Sequence, residues 1–495
     1  MNRKNLTTAV IAGIAGVAGI ANMASAVNLN PDGLGQVLLY PYYTVNGGQQ
    51  TLLSVVNTTA ISKAVKVRFL EGYNSREVLD FNLFLSPFDV WTADVFALSD
   101  AGVTGATGAG IFTTDNSCTQ PALSESTQGS LHYVAFRNFA YTGTNSDTGP
   151  VTDDRTREGH FEMISMADII PGTALDKDVT HVNGVPPGCS SAEAEFESKT
   201  EITVPTSGLF GAASVVNVAN GAYYAYNADA LDGFTHVTLE NPSGSLEPSL
   251  GDVNDVGGTP KVGPATSFVF NDGVLLTSTW PSTDVNSRSI DAVSSVFDAA
   301  NIYNEYEFNA DGSVGTDWVV NFPTKRFYVD AATFKLAAVV PPFEHLFGKV
   351  ETGNGKGLSC VVVGISVYDR EEKTTTPTSC GFSPCPPGLP PSSICRETNV
   401  ITFSSASSPA SILSSTLTSN IAPIGNNGGW ANISFTTVAH DLPAATNGNI
   451  FHGLPVTGFE AVKFTNGNLN GVLANYAGLY RHRQSRSCTN TAACS

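Results

Sequence analysis

Three short acidic stretches carry the residue types best suited to holding a cation. Asn227-x-Asp229-x-x-Asp232-Gly233 gathers three side-chain oxygen donors beside a glycine. Asp252-x-Asn254-Asp255 and Asn309-x-Asp311-Gly312 do likewise. Calcium takes about six to eight hard oxygen ligands, and loops of this kind supply them. Asn227, Asp229, Asp232, Asp252, Asn254 and Asp255 are therefore the candidate calcium ligands. The spacing matches neither an EF-hand nor a nonapeptide repeat, and Asn, Asp and Gly also serve ordinary turns.

Covalent chemistry has no comparable marker. The chain lacks H-E-x-x-H, G-x-S-x-G and G-x-x-x-x-G-K-[ST]; residues 348–356 approach the last but place Asn354 where its lysine belongs. The eight histidines are scattered, none at metal-ligand spacing. A Ser-His-Asp triad or a carboxylate pair assembles across a fold, so the linear order neither supports nor removes one. Tyr40-Pro41-Tyr42-Tyr43 and Tyr223-Tyr224-Ala225-Tyr226 could stack on sugars, although aromatic strand positions more often pack across strands. Arg481, Arg483 and Arg486 form the one basic concentration, read as a solvated tail or as a contact to acidic surfaces of a second copy.

Eight cysteines remain: Cys118, Cys189, Cys360, Cys380, Cys385, Cys395, Cys488 and Cys494. An even number in an exported chain suggests disulfides. Spacing favours Cys118 with Cys189, pairing within the 360–395 cluster, and Cys488 with Cys494. A zinc site is the rival, but Cys380-x4-Cys385 is wider than a zinc knuckle and no histidine lies beside it.

The elements that must position these groups read as strands. Residues 36–45 and 51–57 flank Asn46-Gly47-Gly48 and predict a hairpin. Over 64–71, Val65, Val67 and Phe69 alternate with Lys66 and Arg68, as expected of a sheet with one wet face. Residues 79–85 and 91–95 repeat the pattern. A hairpin is expected at 208–232, turning at Asn220-Gly221, and 267–280 resumes strand character, broken at Asn271-Asp272-Gly273. Residues 170–200 read as irregular. Ile290, Val293, Phe297 and Ala300 recur at helical spacing, which predicts one short helix near 289–303. Residues 317–330 return to strand, with Pro323 placing it at an edge or a bulge. The Ser-rich stretch 402–420 reads as strand or loop.

Composition bounds the function. Lys+Arg number 25 against 44 Asp+Glu, for a formal charge of −19. Clustered cations for nucleic-acid binding are missing, so nucleic acid is excluded as a partner. Hydrophobic residues at 42% are enough to build a core. Arg3 and Lys4, an apolar stretch over 9–21 and Ala24-Ser25-Ala26 read as a secretory signal cleaved before Val27. Its loss takes the charge to −21. No later stretch is long and apolar enough for a transmembrane helix.

Asn304-Glu305-Tyr306 followed by Asp317-Trp318-Val319-Val320-Asn321-Phe322-Pro323-Thr324-Lys325, together with residues 35–57 and their Tyr-Pro-Tyr-Tyr, resembles a group of exported proteobacterial proteins of unknown function. The resemblance covers a minor part of the chain and implies no catalytic residues. The composition resembles that of surface-layer proteins.

These readings predict a mainly β protein with two or more Ig-like β-sandwich domains: a signal over 1–26, a sandwich over 27–118, a β-rich region over 119–264, and a β-rich domain over 265–495 with a Cys/Pro-rich insert at 371–397. The leading function is an exported cell-surface or matrix protein, periplasmic or extracellular, that self-assembles or joins other surface components with calcium as its cofactor. A secreted hydrolase of polysaccharide or ester and a carbohydrate-binding or adhesive module are the alternatives.

Overall fold

Strands dominate from the first described residue. In chain order they are β1 (Ala26–Leu29), β2 (Val37–Thr44), β3 (Gln50–Asn57), β4 (Lys63–Glu71), β5 (Glu77–Leu85), β6 (Val90–Ala97), β7 (Ala109–Phe112), β8 (Thr119–Gln120) and β9 (Ser126–Gln128). There follow β10 (Leu131–Ala135), β11 (Glu158–Ile169), β12 (Ile202–Thr203), β13 (Leu209–Asn217), β14 (Ala222–Asn227), β15 (Asp229–Asp232), β16 (Ala265–Asn271) and β17 (Val274–Trp280). The computed structural model describes residues 26–253, 264–271, 273–280, 289–348, 358–375, 393–404, 410–421, 423 and 427–489. Residues 1–25 of the expected signal, Asn254, Asp255, Cys380, Cys385, Cys494 and most of the 371–397 insert lie outside them.

These strands form a sandwich. One sheet runs β17-β16-β1-β15-β2-β11-β4-β5-β8, with β12 beside β11; the other runs β14-β13-β3-β6-β7-β10-β9. Their facing surfaces share a core of Tyr40, Val67, Phe69 and Phe161 from the first and Leu53, Val55, Trp91 and Val215 from the second. Period-two alternation fixes which residues enter that core, since slipping by one would expose all of them. The expected borders, at 118/119 and 264/265, do not separate sheets: β8 and β16, which start just after them, belong to the sheet of β1 and β4. Sheet pairing joins residues distant in sequence, which a linear reading of turns does not register.

A second sandwich follows. One five-stranded sheet is ordered Thr374–Thr375, Gly364–Asp369, Gly428–Ser434, Asn301–Glu307, Arg483–Ser485; the other Thr418–Ile421, Thr398–Phe403, Val314–Asn321, Thr457–Leu469, Val472–Arg481. Val314–Asn321 is central, not an edge, because it ends before Pro323. Its apolar run has two destinations: Trp318 and Val320 enter the core of this sandwich, while Val319 joins Phe459 and Val400 in the core of the first. A strand buried on both faces loses its alternation.

The expected wet face of β4 is also covered. Lys66 and Arg68 are 0% and 1% exposed, because residues of the second half and of 174–250 lie over that side of the sheet. The charges are paired there: Lys66 with Asp80, and Arg68 with Glu77 and Glu162.

Helices are more numerous than expected but short: α1 (Ala174–Val179), α2 (Cys189–Glu197), α3 (Ile290–Phe297), α4 (Arg326–Val329) and α5 (Ala331–Phe334). α3 is the expected helix, but it stops at Phe297 and residues 298–303 turn into strand. α1 and α2 occupy the stretch read as irregular. Thr173 caps α1 by accepting from Asp176 N, and Cys189 at the start of α2 is bonded to Cys118. Cys360 is bonded to Cys395. Cys488 is also disulfide-bonded, to a partner outside the described residues. Among the described residues no helix is long and apolar enough to cross a membrane.

Candidate functional site

A cavity of about 930 Å³ opens beside the β4–β5 end of the first sandwich. Val78, Leu79 and Phe81 of β5, Leu123, Val134 and Ala140 give it apolar walls, and Phe139 and Leu246 line it while remaining 74% and 56% exposed. Four of the chain's thirteen arginines also line it: Arg68, Arg76, Arg137 and Arg326.

Local structure explains how they are placed. The turn after β4 is wrapped around the Glu71 carboxylate, which accepts from the backbone N–H groups of Tyr73 (2.7 Å), Asn74 (3.0 Å) and Arg76 (2.9 Å). Arg155 clamps the same carboxylate at 2.6 and 2.8 Å. Arg155 also donates to Asp147. Burial pushes Asp147 up, but its bonds and charge contact with Arg155 outweigh this and hold it below the usual carboxylate range. Arg76 emerges from this turn and donates to Asp330 at 2.8 Å. Asp330 in turn caps α5 through Ala332 N and Thr333 N, so one carboxylate positions both a helix of the wall and an arginine.

Each wall charge has a partner except one. Arg68 pairs with Glu77 at 2.7 Å and with Glu162. Arg137 pairs with Glu125 at 2.6 Å. Asp80 pairs with Lys66. Arg326, the first residue of α4, donates to the carbonyl of Ser75 at 3.0 Å and lies over the rings of Phe327 and Phe334. It has no carboxylate within 4 Å among the described residues. Arg68 Nη2, Arg76 Nε and Arg326 Nε have no hydrogen-bond acceptor. His160 of β11 is fully buried with both ring nitrogens unpartnered. Burial, then the charges of Arg326 and Arg68, push it down to about 3, so it is neutral.

The residues singled out from sequence lie elsewhere. Asn227, Asp229 and Asp232 share the β14–β15 corner, but Asp229 is buried and binds Thr457 and Arg481, and Asp232 accepts from Gly233 N at 2.8 Å. Asp252 accepts from the backbone and hydroxyl of Ser249 in a capping box. Asp311 closes its own turn with Ser313. Among the described residues no three His, Cys, Asp or Glu side chains come together as a metal site.

Tyr40, Tyr42 and Tyr43 are core residues, not a surface platform. Tyr40 stacks on Phe161 at 4.1 Å, and Tyr42 donates to Glu158 at 2.7 Å. Tyr224 and Tyr226 are buried while Tyr223 is exposed, as strand alternation requires. The basic stretch is not a free tail: Arg481 pairs with Asp229, Arg486 donates to the Val296 carbonyl at 2.7 Å, and His482 is buried against the Val319 carbonyl.

A hydrogen-bonded Asp-His-Thr chain sits at the surface. His452 Nδ1 is 2.6 Å from Asp441 Oδ1, and its Nε2 is 3.0 Å from Thr489 Oγ1. His452 and Asp441 line a cleft of about 600 Å³.

The cavity arginines escaped sequence reasoning because Arg68 sits at an outward position of an alternating strand. The available signal was Lys325-Arg326, two cations separated by three residues from the end of an apolar strand. Compared with protein-family models, curated proteins and solved structures, the chain matches none.

Proposed function

We propose that this is an exported binding protein, periplasmic or extracellular, whose arginine-lined cavity holds an amphipathic small molecule. The observation that carries the reading is the cavity itself. At about 930 Å³ with mostly apolar walls and a few polar groups, it has the size and lining of small-molecule sites. Export is supported by the signal-like N-terminal sequence and by the disulfides. Protein purified from the exported fraction of its native cells, analysed by native mass spectrometry, should carry a small molecule. Ala332→Trp, a bulky change at an exposed wall position, should release it. An empty native protein that also binds no amphiphile by calorimetry would end the proposal.

A second reading, hydrolysis of an ester, is favoured by the Asp441–His452–Thr489 relay. The Thr489 hydroxyl donates to an imidazole whose other nitrogen faces a carboxylate, the arrangement that raises nucleophilicity. It predicts turnover of short aryl esters that is abolished by Thr489→Val; unchanged turnover in that variant excludes it.

A further inference from the structure

Resting on the cavity reading above, we infer that the ligand is a single-headed anionic amphiphile, with its oxyanion head on Arg326 and its hydrocarbon tail along the apolar wall.

Arg326 decides the head group. A cation away from water is costly unless an opposite charge compensates it. Arg68, Arg76 and Arg137 each meet a carboxylate within the protein. Arg326 meets only a backbone carbonyl and two aromatic rings. Burial and Arg68 disfavour its charge, and Glu162, Asp330 and Glu77 offset this only from beyond ion-pair distance. The missing anion has an open approach, because Arg326 lines the cavity.

The unpartnered wall atoms agree in kind. Arg68 Nη2 and Arg326 Nε, on residues that line the cavity, are buried donors without acceptors, while Arg76 Nε faces Asp147 at 3.7 Å. A guanidinium has no acceptor of its own, so the complement must bring oxygen lone pairs. A planar guanidinium also matches the two oxygens of a carboxylate better than an ammonium does. The wall carboxylates Glu77, Asp80 and Glu125 are each already paired with a cation of the protein, so an alkylammonium head meets no free carboxylate here.

Phe139 and Leu246 decide the tail. Large apolar side chains this exposed, both on the wall of one cavity, leave apolar surface in water that an alkyl chain would cover.

The test is calorimetric titration of the full exported chain with dodecanoate, dodecyl phosphate, dodecan-1-ol and dodecylammonium below their critical micelle concentrations. The expected result is at least tenfold tighter binding of one or both anions than of the alcohol, and none of the cation. Which anion prevails separates a fatty-acid source from a phosphate-headed one. In Arg326→Met the anion preference should fall to twofold or less with alcohol affinity kept, while Arg370→Gln, in an exposed ion pair outside the cavity, should behave as wild type. Equal affinity for anion and alcohol in the wild type overturns the inference and leaves the cavity reading standing, and it needs no variant to fold. A preference that survives Arg326→Met in a folded variant, judged by circular dichroism, also overturns it. Binding of no probe at all counts against the cavity reading itself.

Discussion

Buried carboxylates show how differently one side chain can be treated in this fold. Glu158 receives five hydrogen bonds, from Tyr42, Asn46, Ser415 and, twice, Thr416. Asp317 receives three, from Thr402, Ser411 and Leu413. Asp298 receives none, and burial pushes it up to about 8. A carboxyl whose folded pKa is raised binds more protons folded than unfolded, so its contribution to stability falls as pH rises from about 4 to about 8. Asp298→Asn removes that penalty. The variant should gain stability over wild type as pH climbs through this window, reaching about 1–3 kcal/mol at pH 9, and equal melting differences at pH 5 and pH 9 would contradict the assignment. Glu158→Ala, by contrast, strands Tyr42 and Thr416 donors in the interior and should cost about 3 kcal/mol or more in urea unfolding. None of this was legible at residue level. Glu158, Asp298 and Asp317 look alike in the chain, and only their surroundings differ.

At the level of elements, much was legible. Alternation marked β4 and β5, the Asn220-Gly221 turn marked a hairpin that is present, with Gly221 at positive φ, and the break expected at 271–273 falls between β16 and β17. The hairpin expected of 36–45 and 51–57 does not form, because β2 and β3 lie in opposite sheets. Helix α3 announced itself by its apolar spacing. Helices α1 and α2 did not, since they are short, and α2, built from Ser, Ala and Glu, lacks a strong apolar stripe. The Ser-rich stretch could not be assigned because its residues 410–417 act as a plug: Ser411 and Leu413 bind Asp317 while Ser415 and Thr416 bind Glu158, tying the two sandwiches together. Strand β1 does a similar job. It pairs antiparallel to β15 and parallel to β16, so four residues join the β16–β17 hairpin to the main sheet. Val27 is fully buried there. Val27→Asp should lower stability by roughly 3 kcal/mol and release the hairpin to rapid hydrogen exchange; protection of 265–280 unchanged in the variant would show that β1 does not hold it. The Cys118–Cys189 bond secures α2, whose Phe196 packs on Phe84 of β5. Replacing both cysteines by alanine should lower stability by about 2–4 kcal/mol in the same urea assay.

For the whole molecule, assembly remains the proposal that composition raised. The structure adds one place for it to act: β17 is the edge of the larger sheet, and Phe270, Val274 and Leu275 of the edge hairpin are exposed. Exposed apolar edges pair with other chains. Sedimentation velocity of the mature protein should show concentration-dependent association that Phe270→Lys weakens and that chelator reduces if calcium takes part; a strict monomer at high concentration would remove assembly. Sequence alone determined the mainly β class, the polar turns, the acidity and many strand positions, because these depend on local alternation and on backbone preferences carried by each residue. Tertiary structure alone decided that Lys66 and Arg68 lie inside, that strands as distant as 26–29 and 274–280 share one sheet, and that Arg326 lines a cavity with no ion-pair partner among the described residues. Those facts arise from pairing and layering between distant segments, and charge placement depends on what covers a face, which no local pattern encodes.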